Sequence, residues 1–119
     1  MDNVAKESYS KKYLNQEVEV HIDRPLGSAH PKHGFIYEAN YGFIQGTKAP
    51  DGEEIDAYVL GINKPIKTFK GICIAVIHRT NDDDDKLVVV PVGINLTNEE
   101  IQKATYFQEQ YFQSEIVRK

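Results

Sequence analysis

Apolar and polar residues alternate strictly from residue 17 to residue 23, with Val18, Val20 and Ile22 on one side of the segment. A period of two residues is typical of a β-strand with one face buried. Further runs rich in branched and aromatic residues follow, separated by glycine, proline and aspartate turns, at 35–44, 55–60, 68–78 and 86–92. Short strands in this succession predict a small antiparallel sheet or barrel.

One helix is predicted after the strands, and its start can be read from four residues. Thr97 is the expected N-cap, Glu100 completes a capping box, and Leu96 with Ile101 forms a hydrophobic staple. The expected packing face consists of Ile101, Ala104, Phe107 and Tyr111. We therefore predict a mainly β fold with α: a small OB-like antiparallel β-barrel with a C-terminal helix packed against it.

Length and composition indicate one domain, because 119 residues with 40% hydrophobic residues suit a single core. We expect a polar N-terminal arm at 1–16, the barrel at 17–95 and the helix at 97–116. The 14 basic and 18 acidic residues give a net charge of -4, which disfavours nucleic-acid binding. No apolar stretch approaches the roughly 20 residues of a membrane span, and no signal peptide is evident, so a cytoplasmic location without membrane contact is expected.

Two acidic segments are candidate metal sites. The first carries Asp51, Glu53 and Asp56 around an Asp-Gly turn, and such hard oxygen donors suit magnesium or manganese. A solvated turn is the alternative for this segment alone. The second, at 81–86, holds four successive aspartates and then Lys86, which indicates either a solvated hairpin tip or a second metal site.

A third segment, at 24–33, combines cationic side chains with a glycine and a serine. Arg24, His30, Lys32 and His33 could surround an anion such as phosphate. The spacing is not that of a nucleotide-binding P-loop, so the segment does not indicate an NTPase.

Three motifs together resemble the soluble family I inorganic pyrophosphatases. They are Asn40-Tyr41-Gly42-Phe43-Ile44, Asp51-Gly52-Glu53-Glu54-Ile55-Asp56, and Asp85-Lys86 followed by Leu-Val-Val-Val-Pro91. Their order and spacing also agree with the family, and the similarity runs from about residue 17 to 111. The resemblance implies an inorganic diphosphatase that hydrolyses pyrophosphate to two phosphates, using metal-activated water and several magnesium ions, with manganese as an alternative.

The resemblance also implies roles for individual residues. The catalytic residues would be Glu53, Asp56, Lys86 and Tyr41. Substrate phosphates would contact Lys32, Tyr41, Lys86 and Tyr111, and Arg24 from the cationic segment is added to this set as a candidate. Metal would be bound by Asp51, Asp56, Asp82, Asp85 and Asp23, with Asp84 as the rival to Asp85. Because family members commonly self-associate, the tyrosine-rich C-terminal helix is the expected surface of a homo-oligomer.

Several positions depart from the family pattern. Glu53 stands where the family has a water-activating aspartate, Phe112 stands where a phosphate-binding lysine follows the helical tyrosine, and a hairpin that typically carries a phosphate-binding arginine is missing after His33. Arg24, His30 and Arg79 are the candidates to replace these cations. Two alternative functions follow: hydrolysis of another phosphoanhydride or nucleotide, and a catalytically impaired barrel that binds a phosphorylated ligand.

Overall fold

The computed structural model describes residues 9–49, 52–80 and 84–118. A short 3₁₀ helix at Lys11–Tyr13 precedes the first strand. The strands and the helix are β1 (Glu17–Arg24), β2 (Asn40–Ile44), β3 (Ile55–Val59), β4 (Thr68–Arg79), β5 (Asp85–Val90), α1 (Asn98–Glu109) and β6 (Ser114–Val117).

Five of these strands close into a barrel, as predicted. The order around the wall is β1, β2, β3, β5 and β4, and β4 pairs with β1 to complete the ring. All of the neighbouring pairs are antiparallel except β3 and β5, which run parallel. The predicted barrel is confirmed, and its one parallel pair makes it a mixed barrel and not a purely antiparallel one.

Alternation along the strands separates the core into two layers. Leu87 and Val89 of β5 lie in the cluster with Val18 and Val20, whereas Val88 and Val90 pack in a second cluster with Ile101 of α1. Because neighbouring residues of a strand face opposite sides, the first cluster fills the barrel and the second lies between the barrel wall and the helix. Both faces of β5 are thus buried, which explains its continuous apolar sequence.

The helix α1 begins as the capping motif predicts. The Thr97 side chain accepts a hydrogen bond from the Glu100 amide, and the Glu100 side chain accepts one from the Thr97 amide. The predicted helix at 97–116 is too long, however, because α1 ends at Glu109 and Ser114–Val117 forms β6, which pairs with the end of β4. In the described part of the chain, no helix is long and apolar enough to cross a membrane.

The Asn40-Tyr41-Gly42 motif holds the first part of the barrel together. Asn40 is fully buried; its Oδ1 accepts hydrogen bonds from the amides of Leu26 and Ile66, and its Nδ2 donates one to the Lys64 carbonyl at 2.8 Å. A Cβ at Gly42 would overlap the backbone of β1, so glycine is required where the two strands approach. These two residues are structural, and they leave Tyr41 to face the site.

Candidate active site

A cleft of about 700 Å³ opens on the outer face of the barrel, beside the C-terminal end of α1. The barrel strands supply its charged side chains, and the 25–37 loop and the end of α1 supply most of its aromatic ones. The lining residues are Asp23, Arg24, His30, His33, Phe35, Tyr37, Tyr41, Asp56, Arg79, Lys86, Gln108, Tyr111 and Phe112.

Lys86 lies at the centre of the charged part of the cleft. Its Nζ donates hydrogen bonds to Asp56 Oδ2 at 2.6 Å and to Asp84 Oδ2 at 2.8 Å, while the residue as a whole is only 3% exposed. The pairing of Asp56 with Lys86 follows from the parallel register of β3 and β5, in which these two residues are direct partners. The buried ammonium thus holds two carboxylates close together at the surface.

A second, acidic cavity of about 350 Å³ adjoins the cleft and shares Asp23 and Asp56 with it. It is lined by Asp23, Phe43, Glu53, Glu54, Asp56 and Asp84. Burial raises the pKa of Asp23, and the negative charge of Asp56 adds to the rise, although the nearby Arg24 lowers it. Five carboxylates around one small cavity create a strongly negative potential that favours a cation.

Asp85 does not join this group. Its carboxylate is fully buried on the opposite face of β5, where Oδ1 lies 2.6 Å from Nδ1 of His78 and Oδ2 accepts a hydrogen bond from the Ser10 amide at 3.3 Å. The alternation of β5 explains this, because Lys86 and Asp85 are neighbours and point to opposite sides. Of the two rival aspartates, the structure brings Asp84 to the site.

Tyr41 and Tyr58 face the same side of the barrel as Lys86, with the Lys86 ammonium 5.6 Å from the centre of the Tyr41 ring. Burial raises the pKa of Tyr41 well above its ordinary value, and the charge of Asp56 raises it further. The phenol therefore stays protonated near neutral pH and can donate a hydrogen bond to an anion.

Arg79, at the end of β4, is a buried cation in the cleft wall. Its Nε and Nη2 donate to the two carboxylate oxygens of Glu109 at 3.1 and 2.8 Å, and its guanidinium lies 3.5 Å from the centre of the Phe112 ring. Nη1 is also 3.5 Å from Asp84 Oδ2. Burial alone would lower the pKa of Arg79, but the hydrogen bonds and charge of Glu109 outweigh it and raise the pKa.

A chain of buried hydrogen bonds continues from Glu109 into the helix. Tyr58 donates to Glu109 at 2.6 Å, Gln108 donates to the Tyr58 hydroxyl at 2.6 Å, and Tyr37 donates to Gln108 at 2.9 Å. The sequence analysis missed this network. Two adjacent polar residues, Gln108 and Glu109, beside the apolar face of a predicted helix were the available signal, because buried polar groups require partners.

The remaining predicted residues are divided between the cleft and other places. Arg24 and Tyr111 both line the cleft. Tyr111 was predicted to pack on the apolar face of the helix, but it lies beyond the end of α1 and is 62% exposed. Lys32 is exposed and is not among the lining residues. The predicted ligands Asp51 and Asp82 lie outside the described residues.

The donor set of the acidic cavity fits a hard divalent cation. Within residues 9–49, 52–80 and 84–118, no three carboxylates, histidines or cysteines converge closely enough to form a metal site by themselves. Magnesium does not need such a site, since one or two carboxylates usually hold it while water and phosphate oxygens complete its coordination. Asp56, Asp84 and Asp23 supply oxygens of this kind at the border of the cleft.

Fold and site together define a class of small mixed β-barrels that carry an acidic, lysine-centred cleft on the outer barrel face. Comparison with known proteins narrows the class. The family model described as "Inorganic pyrophosphatase" matches residues 4–117. The chain therefore belongs to the inorganic pyrophosphatase family.

The similarity to individual proteins has a defined extent. An inorganic pyrophosphatase of Ralstonia nicotianae is 35% identical over 81 residues, which are 62% of this chain and 42% of that protein, so the match spans less than half of the relative. The crystal structure of an inorganic pyrophosphatase from Ehrlichia chaffeensis superposes with a TM-score of 0.69 at 20% identity, covering 88% of this chain and 87% of the other. The Helicobacter pylori enzyme gives 0.62 at 18% identity, with 96% and 90% covered. These structures confirm the barrel fold.

Proposed function

We propose that the protein is a magnesium-dependent inorganic pyrophosphatase, with manganese as the alternative metal, that hydrolyses pyrophosphate to two phosphates. The observation that carries the proposal is the position of Lys86, whose Nζ binds both Asp56 and Asp84 between an acidic cavity and a cleft with cationic side chains. Membership of the inorganic pyrophosphatase family supports the same reaction.

Acidic and basic residues would bind different parts of the reacting complex. Asp23, Asp56 and Asp84 would hold magnesium, which supplies positive charge that neutralises the phosphates and acidifies water. On the other side of Asp56, Lys86 would hold one phosphate and stabilise the charge that develops as the bridging bond breaks. Tyr41, protonated and buried, would donate a hydrogen bond to a phosphate oxygen.

Glu53 is the proposed general base. It lines the acidic cavity beside Asp56, where an attacking water would be held close to the metal-binding carboxylates. Arg24 and Tyr111 in the cleft wall would contact the second phosphate, and Arg79 is a second buried cation near Asp84, at 3.5 Å against 2.8 Å for Lys86. We leave Lys32 out of this set because it does not line the cleft.

Phosphate release from pyrophosphate tests the proposal. With magnesium, the protein should produce phosphate, and Asp56→Asn should lower kcat/KM by roughly 100-fold or more, since it removes a charge shared by the metal site and Lys86. Glu115→Gln, an exposed acid-to-amide change on β6, is the matched control and should have no effect. Equal release by Asp56→Asn, or none by the unchanged protein with magnesium or manganese, would overturn the proposal.

Self-association through α1 stays a prediction. Tyr106 of α1 is 63% exposed and lies outside the cleft, which is consistent with a surface available for contact between copies. Sedimentation velocity across a range of protein concentrations would measure it directly.

A further inference from the structure

The two walls of the cleft differ in chemistry. One wall is charged and holds Asp23, Arg24, Asp56, Arg79 and Lys86. The adjoining wall, here called the aromatic wall, is formed by His30, His33, Phe35, Tyr37 and Tyr111. Pyrophosphate has no apolar surface, so the proposed function explains the charged wall and the Tyr111 hydroxyl but not the ring faces of the aromatic wall.

Ring planes in the aromatic wall are partly accessible. Phe35 is half-buried and lies at its centre, with Tyr111 stacked at 5.9 Å and an angle of 28°. His33 is exposed and nearly parallel to Phe35, at 6.5 Å and 6°. Tyr111 is 62% exposed. A planar group entering the cleft would find ring faces to stack on, which are sequence-tolerant partners for nucleobases.

Backbone hydrogen bonds hold the aromatic wall in place. Across the 25–37 loop, the Gly27 amide donates to the Tyr37 carbonyl at 2.8 Å, and the His30 amide donates to the Phe35 carbonyl at 2.8 Å. The Nδ1 of His30 accepts hydrogen bonds from the amides of Lys32 and His33, each at 3.1 Å. The rings are therefore positioned before any ligand binds, which lowers the entropic cost of stacking.

Neighbouring side chains form a continuous row from the charged wall to the aromatic wall, so a ligand in the cleft can contact both. The Lys86 ammonium is 5.6 Å from the Tyr41 ring, Tyr41 is 5.5 Å from Tyr37, Tyr37 is 5.5 Å from Phe35, and Phe35 is 5.9 Å from Tyr111. The cleft volume of about 700 Å³ also lies within the range of roughly 300–1,000 Å³ seen for ligands much larger than pyrophosphate.

We propose that the cleft accepts a nucleoside diphosphate, with the diphosphate on the charged wall and the base stacked against Phe35, His33 and Tyr111. The inference rests on the proposed function, because the two phosphates would occupy the positions of pyrophosphate. A water oxygen forms a bond to the terminal phosphorus, and the bond from that phosphorus to the bridging oxygen breaks. The products are a nucleoside monophosphate and phosphate, with one proton released to solvent.

Substrate comparison gives the first test. In the presence of magnesium, kcat/KM is measured for three substrates. Pyrophosphate carries no substituent, methyl diphosphate carries a methyl group, and ADP carries a nucleoside with its base. ADP should exceed methyl diphosphate by roughly tenfold or more, since stacking on an aromatic side chain strengthens binding by about that factor. If the protein hydrolyses pyrophosphate but treats ADP no better than methyl diphosphate, the inference is wrong and the proposed function stands.

Variants of the wall give the second test. Phe35→Leu and His33→Ala should lower the ratio of kcat/KM for ADP to that for pyrophosphate by roughly tenfold, because each removes a ring face. Tyr106→Leu removes an exposed ring that lines a different cavity, so its ratio should equal that of the unchanged protein. His33 is exposed, so the ratio for His33→Ala can be read even if Phe35→Leu folds poorly. An unaltered ratio in both wall variants would overturn the inference.

Calorimetry separates failure of the reaction from failure of the binding site. If no substrate is hydrolysed, the proposed function fails, and binding is then measured with the methylene-bridged analogues of ADP and pyrophosphate plus magnesium. The inference of a nucleotide site would stand if the ADP analogue bound at least tenfold more tightly than the pyrophosphate analogue and if His33→Ala abolished this difference. Equal affinity for the two analogues, or no binding of either, would overturn it.

Discussion

Replacing the neighbouring aspartates Asp84 and Asp85 by asparagine, one at a time, should separate activity from stability. The two carboxylates are one residue apart, yet Asp84 contacts Lys86 at the edge of the acidic cavity and Asp85 contacts His78 in the interior. Asp85→Asn should therefore destabilise the fold, and Asp84→Asn should impair catalysis.

The expected loss of stability for Asp85→Asn follows from its contacts. Asparagine has nearly the same volume and its Oδ1 can still accept from the Ser10 amide, which places its neutral NH2 group against His78, so the main loss is the carboxylate oxygen in the 2.6 Å contact with Nδ1 of His78. Hydrogen bonds to charged groups contribute about 1.5–3 kcal/mol, and we expect a loss of about 2 kcal/mol. For 119 residues, with an unfolding entropy of roughly 0.25 kcal/mol/K, the Tm should fall by about 8 °C.

The expectation for Asp84→Asn is the reverse. The Asp84 side chain is 33% exposed, and when its charge is removed Lys86 remains paired with Asp56 and Arg79 with Glu109, so we expect a loss of stability of only about 1 kcal/mol. The change replaces one negatively charged oxygen donor of the proposed magnesium site by a neutral amide oxygen. The magnesium concentration for half-maximal activity should rise roughly tenfold or more, as metal affinity depends on ligand charge.

Urea unfolding and magnesium-dependent phosphate release measure the two effects. A double-mutant cycle with His78→Gln isolates the Asp85 contact, and a coupling energy of about 1 kcal/mol or more is expected. The reasoning would be refuted if Asp85→Asn kept its stability while losing magnesium-dependent activity, or if Asp84→Asn had the magnesium dependence of the unchanged protein.

Arg79 and Cys73 give two further predictions. Arg79→Lys should lower the free energy of unfolding by about 1–3 kcal/mol, measured in urea, because lysine cannot reproduce the two-point contact with Glu109 or the stacking on Phe112; an unchanged midpoint would contradict this. Burial raises the pKa of the Cys73 thiol from 9.0 to about 11, so its contribution to stability is complete below pH 9 and is lost as the unfolded thiol ionises between about pH 9 and 11. Between pH 9 and 11, the urea midpoint of the unchanged protein should therefore fall more steeply with pH than that of Cys73→Ala. Equal slopes for the two proteins would contradict this expectation.

Local patterns predicted the barrel well because its strands and helix start are encoded locally. The alternation at 17–23 reappears in β1, and the capping box at Thr97 and Glu100 forms as expected. The errors concern contacts between distant segments. The parallel pairing of β3 with β5 and the pairing of β6 with β4 depend on how the barrel closes, and neither leaves a periodic signal in the short segments involved.

In the site, strand alternation would have resolved the choice between the two aspartates. Once Lys86 is placed on the outer face of β5, Asp85 must face the interior, and the preceding Asp84 returns toward Lys86. The sequence analysis ranked these residues by similarity to a motif and not by the face of the strand. Motif spacing alone therefore indicated less well which carboxylate faces the acidic cavity than did the two-residue period of β5.

The replacement of the missing cations illustrates what sequence comparison could not reveal. Phe112, which stands in the position of a family lysine, contributes no charge, but its ring packs against the guanidinium of Arg79 from a different strand. Glu109 fixes the same guanidinium at two points, and Tyr58 fixes Glu109. Arg79 of β4 thus places a cation in the cleft wall, held by the acidic Glu109 at the end of α1 and by the Phe112 ring just beyond it. Because the Arg79 guanidinium is already paired with Glu109, an incoming phosphate must compete with that carboxylate and is attracted more weakly. A ligand that also stacks on the aromatic wall would offset this weaker attraction, so the Phe112–Arg79–Glu109 contact and the exposed rings beside Phe35 favour the same larger substrate.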